Sequence, residues 1–165
     1  MRVVSNTSPI SNLAIIGRLE ILREQFGMVS VPEAVERELA ALDHAAGKAA
    51  IERAKSAGWL LVERVDDSAL VQILEVSLDA GESEAIGLAA QNRVDLLIMD
   101  ESAGRAAARR LEIPVAGTLG LLLKEKQCGR IPSLKAEIDS LVSDAGFYLS
   151  SSVTEVFLKK AGEET

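Results

Sequence analysis

The chain has 165 residues, is 48% hydrophobic with only 3% aromatic residues, and carries a formal charge of −7. That length suits one domain with a buried core, and the shortage of aromatics leaves Val, Ile, Leu and Ala to build it, as in parallel sheets covered by Ala-rich helices. The acidic balance speaks against indiscriminate nucleic-acid binding, a lone Cys128 excludes an internal disulfide, and a lone His44 argues against Ser-His-Asp catalysis and His-ligated zinc.

No apolar run approaches the ~20 residues that cross a bilayer. The first strand begins at once, with no signal-peptide pattern before it, so a cytoplasmic location without membrane contact is expected. "VVSNTSPISNL" (residues 3–13) reads as a short apolar strand that stops at Asn6-Thr7-Ser8 and turns at Pro9. "NLAIIGRLEILREQF" then carries Leu13, Ile16, Leu19 and Leu22 at helical spacing, with Gly17 placed to split it. "GMVSVP" is a second strand, and Pro32 opens the helix "EAVERELAAL". "HAAGKAAIERAKSAG" is a helix ended by Gly58. "WLLVERV" is a third strand, which Glu63 and Arg64 place toward an edge.

"DDSALVQILEVSL" predicts a helix with Leu70, Ile73 and Leu74 on one face, and "AGESEAIGLAAQNR" a compact helix with Ala85, Leu88 and Ala89 inward. "VDLLIMDE" is the clearest strand, a continuous apolar run ending in Asp100 and Glu101. The helix "SAGRAAARRL", the strand "IPVAG" and the helix "TLGLLLKEKQ" follow, and Cys128 marks the end of that helix as a structural thiol. "LKAEIDSLVSDAG", an extended "FYLS" and a last helix complete the chain, with Ser152 and Glu155 at capping-box spacing. Strands alternating with helices imply right-handed crossovers and a three-layer α/β/α sandwich around a parallel sheet. The expected organisation is a single domain over 1–165 with a helical extension from about 133.

Open parallel sheets gather their chemistry at the carboxyl ends of the strands. Asp100 and Glu101 fall there, Glu82 and Glu84 lie in the first turn of the preceding helix, and Glu33, Glu36 and Glu38 follow the second strand. Glu in a first helical turn also has a purely structural use, and Glu36 beside Arg37 reads as a solvated face. An acid at the end of a buried strand must find a helix start, a cation or a metal, and hard divalent cations want several oxygen ligands. There is no GxxxxGK[ST] and no GxGxxG. "GTLG" (residues 117–120) is too short to mark a phosphate loop, and Thr118 there reads equally as an N-cap.

Taken in order, "VVSNTSPISNLAIIGRLEIL", "VPEAVEREL", "DAGESEAIGLA", "LLIMDESAGRAAARRLEIPVAGTLGLLL" and "GFYLSSSVTEVFL" resemble a PIN domain, more narrowly a prokaryotic PIN-like subfamily with Asn in place of the first acid. The resemblance implies a PIN-like α/β/α fold and an Mg²⁺- or Mn²⁺-dependent ribonuclease, often the toxin of a toxin–antitoxin pair restrained by a small antitoxin protein and frequently a homodimer. Carried over by motif, its site positions are Asn6, Glu38, Glu84 and Asp100, with Glu38, Glu84 and Asp100 on the metal and Glu82 an alternative to Glu84. Thr7, Ser8 and Thr118 fall at its substrate-side positions. Arg105 and Arg109, one turn apart, could meet phosphates of RNA, with Lys124, Lys126 and Arg130 extending that surface.

Asn6 offers a metal an oxygen but no charge, and a unit charge pair at about 4 Å is worth roughly 4 kcal/mol at an effective dielectric near 20. A catalytically impaired PIN module that binds RNA or a partner without cutting is therefore a rival reading. A phospho-receiver domain is a third, but "SNTSP" and "WLLVERV" do not supply its acids.

Overall fold

The computed structural model describes residues 1–163. Five parallel strands, β1 (Val3–Ser5), β2 (Val29–Pro32), β3 (Leu60–Glu63), β4 (Leu96–Ile98) and β5 (Val115–Ala116), lie in the order β3-β2-β1-β4-β5. Each is followed by helix: α1 (Thr7–Ile15) and α2 (Glu20–Phe26), α3 (Glu33–Ala40) and α4 (Ala45–Ser56), α5 (Ser68–Leu74) and α6 (Ala80–Asn92), α7 (Ser102–Arg110), then α8 (Thr118–Gln127), α9 (Leu134–Asp144) and α10 (Ser151–Lys160).

Strand residues alternate between two cores, as a period of two requires. Val3 and Ile98 join a large cluster with α1, α2, α4, α8 and α9. Val4, Leu97 and Met99 join a smaller one with α6 and α7. This is the three-layer sandwich read from the alternation of elements. β3 is an edge strand, as Glu63 and Arg64 suggested.

The chain leaves β1 toward β2 on one side, whereas β4 returns to β1 on the other. Between the carboxyl ends of β1 and β4 the direction of winding reverses, and open α/β sheets leave a crevice at that point.

Several local readings change. Residue 9 is not a turn: α1 begins directly after Asn6, and Pro9 sits in its first turn, where a missing N–H costs nothing. Gly17 divides α1 from α2 with φ +74. On α5 the inward residue is Val71, while Ile73 is 69% exposed, because a helix of two turns hides only a narrow stripe. The cap of α10 is Ser150, whose hydroxyl accepts from Val153 N, rather than Ser152. Thr118 is the first residue of α8, and the cap is Gly117. His44 caps α4 by accepting from Gly47 N at 2.9 Å. No helix among the described residues is long and apolar enough to cross a membrane.

Candidate functional site at the reversal of the sheet

Asn6 stands at the mouth of the crevice. Its backbone N–H donates to Ile98 O on β4 at 3.0 Å, which fixes β1's end against β4's, and the residue is only 3% exposed. An asparagine in the N-cap position usually turns its oxygen onto the amides of the first turn. Here the third of those residues is Pro9, which has no N–H, and no capping bond forms. The side chain turns to β4 instead: Nδ2 donates to Glu101 Oε2 at 3.1 Å, and the buried Oδ1 has no partner.

Glu101 is the N-cap of α7, and Ser8 Oγ donates to its other oxygen. Thr7 Oγ1 donates to Glu38 Oε2, so consecutive hydroxyls at the start of α1 hold acids from two different helices. Glu38 lies against the backbone of Gly81, where a Cβ would come within 2.6 Å of its carboxylate. Glycine at that position lets α3 and α6 meet closely.

Glu82, in the first turn of α6, is 7% exposed. It forms a capping box, with its N–H donating to Asp79 Oδ1 at 2.8 Å and its Oε2 accepting from Asp79 N at 3.0 Å. Among the described residues nothing donates to its Oε1. Burial pushes its pKa above the ordinary carboxylate value; the Asp79 amide opposes this, and the negative fields of Asp79, Glu101 and Glu38 add to it.

Two of the acids expected in this set are turned elsewhere. Glu84 accepts from Ala34 N at the start of α3 and lies 3.7 Å from Arg37. Asp100 gives both oxygens to Thr118, accepting from its N–H at 2.8 Å and its hydroxyl at 2.6 Å, which ties β4 to the first turn of α8. Burial raises the Asp100 pKa against the pull of those bonds. Arg105 donates to Met99 O at 3.0 Å and stands beside Asp100, while Arg109 is exposed one turn further on. The basic residues expected to extend this surface are partly engaged away from it. Lys126 binds Pro132 O and Glu163, and Arg130 binds Glu125 through two nitrogens.

Asn6, Glu38, Glu82 and Glu101 are thus the polar groups gathered around the crevice, with Thr7 and Ser8 as their hydroxyl partners. No three acidic, histidine or cysteine side chains among the described residues converge tightly enough to hold a metal ion. The donor chemistry nevertheless fits a hard cation. Every atom on offer is oxygen, the Asn6 Oδ1 is buried without a partner, and among the described residues the Glu82 carboxylate accepts only through Oε2. Glu101 was visible in the sequence as a strand-end acid but was not placed in the set. Its position as the cap of the "SAGRAAARRL" helix, immediately after the strand, is the signal that could have placed it there.

A family model described as a PIN domain matches residues 2–163. No curated protein matches the chain.

Proposed function

From the premise that the chain belongs to the PIN domain family, whose fold is of nuclease type, we propose that it is a divalent-metal-dependent ribonuclease, the toxin of a toxin–antitoxin pair, acting at the crevice between β1 and β4. The observation that carries this reading is the buried, unpartnered Oδ1 of Asn6, on a side chain bonded to Glu101, whose negative field and that of Glu38 both reach Glu82. An orphaned buried carbonyl costs about 1–3 kcal/mol, and a cation among those oxygens would remove that cost.

Asn6, Glu82 and Glu101 would supply the ligands for Mg²⁺ or Mn²⁺, and Glu38 would have to shift from its bond with Thr7 to join them. Bound there, such an ion supplies Lewis-acid polarisation of a phosphodiester and makes water a better nucleophile at neutral pH. The chain's own residues do the rest. Thr7 and Ser8 aim the carboxylates of Glu38 and Glu101, and Asn6 Nδ2 fixes the second oxygen of Glu101. Asp100, through Thr118, sets the start of α8 against β4 and positions rather than binds. Arg105 and Arg109 face the phosphates that flank the scissile bond. A small antitoxin restraining the enzyme would have to cover this crevice.

Cleavage of RNA by the purified protein should require Mn²⁺ and stop in EDTA. Glu101→Gln should lower the rate about 100-fold or more, beyond the 10–100-fold typical of groups that only orient a ligand, while Glu84→Gln costs less than about tenfold. Cleavage that survives Glu101→Gln removes this assignment. The rival reading, a module that binds without cutting, draws on the fact that Asn6, Thr7 and Ser8 already satisfy Glu38 and Glu101 without a cation.

A further inference from the structure

A cleft of about 550 Å³ opens beside the crevice, between the start of α8 and the segment that joins α9 to α10. Its polar end holds Asp100, Ser102 and Arg105, and its far wall is Phe147, Tyr148 and Phe157. The whole chain has five aromatic residues, three Phe, one Trp and one Tyr, so three of the five line this cleft.

The wall is built by simple alternation. In the extended stretch after Gly146, Phe147 and Leu149 turn inward and pack on the larger core, as does Phe157 from α10. Tyr148 between them points out and is 89% exposed. Folding gains little from showing an aromatic ring to water, and here the ring is held between two anchored neighbours.

The cleft holds one cation, Arg105, and one carboxylate, Asp100, whose two oxygens are taken up by Thr118. Among the described residues Arg105, Arg109 and Arg110 of α7 take part in no ion pair with a carboxylate within 4.0 Å. The Lys160 ammonium stands 5.9 Å from the centroid of the Phe157 ring. Rings that offer a flat apolar face next to a guanidinium group that is bonded to Met99 O through one nitrogen and keeps its other N–H groups match a nucleotide, base on ring and phosphate on arginine.

We propose that this cleft is a subsite for a single-stranded RNA nucleotide next to the bond at the crevice, its base stacked on Tyr148 and its phosphate held by Arg105. The proposal rests on the ribonuclease reading for the identity of the polymer, but it concerns binding and can fail separately. The occupant is RNA rather than a peptide because the aromatic wall and the Arg105 guanidinium lie within one cleft, whose polar end at Asp100 and Ser102 adjoins Glu101 of the acidic crevice.

The test is fluorescence anisotropy in EDTA, where cleavage plays no part. The natural protein and Tyr148→Ala are titrated into a fluorescein-labelled decaribonucleotide of alternating A and C, which cannot pair with itself, and into an abasic decamer with the same backbone. Tyr148→Ala should weaken binding of the base-bearing decamer about tenfold and leave the abasic one unchanged. Trp59, 4% exposed, reports by its emission that the variant is folded. Equal affinity of both proteins for the base-bearing decamer overturns the subsite, and so does absence of binding. A Tyr148-dependent affinity without Mn²⁺-dependent cleavage leaves the subsite standing and removes the nuclease. Cleavage without that dependence does the reverse.

Discussion

The amide of Asn6 does one thing a carboxylate could not, which is to donate a proton to Glu101. Asn6→Asp therefore removes that bond and brings a further negative charge toward Glu101, Glu82 and Glu38. In EDTA the variant should lose about 2–3 kcal/mol of stability, the scale of a buried bond to a charged group. Mn²⁺ should raise its melting temperature more than that of the natural protein, as thermal unfolding followed by circular dichroism would show. Equal metal responses would mean that position 6 does not face the cation. Cleavage found only in Asn6→Asp would make the natural protein a binder. At this scale the sequence disclosed that acids collect at strand ends but not which of two neighbours faces inward. Glu82 and Glu84 are two residues apart, about 200° around a helix, so at most one can point to the crevice. Asp100 and Glu101 leave a strand in succession, and which of them turns toward Asn6 depends on the pleat. Both choices are made by packing, which residue order does not reveal.

Among the elements, the C-terminal pair α9 and α10 depends on a clasp. The Glu163 carboxylate accepts from Leu134 N at 2.6 Å, Lys135 N at 2.9 Å and Ser133 Oγ at 3.3 Å, and lies 3.3 Å from Lys126 Nζ. It thereby caps α9 from the far end of α10. Burial works against its charge, but the Lys135 and Leu134 amides and the Lys126 ammonium outweigh this and hold its pKa below the usual value. Glu163→Gln should cost about 1 kcal/mol, the worth of a helix cap. Amide hydrogen exchange should speed up at the start of α9 and along α10 while β1 and β4 keep their protection; uniform loss across the molecule would show that no separate clasp exists. Helix identity was readable from apolar spacing almost throughout, and edge β3 from its charges. The caps at Asn6, Ser150 and Glu163 were not, because a cap depends on where neighbouring chain returns. Ile73 was misplaced for a related reason: α5 spans only Ser68–Leu74, too short for periodicity to fix which face turns inward.

At the scale of the whole molecule, two sets of carboxylates respond to acid with opposite sign. Arg130 holds the Glu125 pKa below the ordinary value, and Glu163 is lowered as described, so their contributions are full above the usual carboxylate pKa of about 4 and are lost as pH falls through their lowered values. Glu82 and Asp100 are raised, so protonation favours the folded state, and that part of the stability is lost as pH climbs from about 4 through their raised values. The urea midpoint should thus fall below pH 4, and Glu125→Gln should make that fall shallower while lowering the midpoint at pH 7. An unchanged acid limb would mean that Glu125 is no more acidic folded than unfolded. The sandwich architecture itself was legible, because alternation of strand and helix restricts topology severely. The sheet order was not, since strand neighbours are chosen by long-range pairing. That order has an electrostatic result. By setting β1 beside β4 it brings the N-terminal ends of α1, α6, α7 and α8 around one crevice, through Asn6, Glu82, Glu101 and Thr118. Each helix start carries roughly half a positive charge from its aligned peptide dipoles. Four of them temper the repulsion among the crevice carboxylates, so a chain of net charge −7 can gather several acids at one end of its sheet.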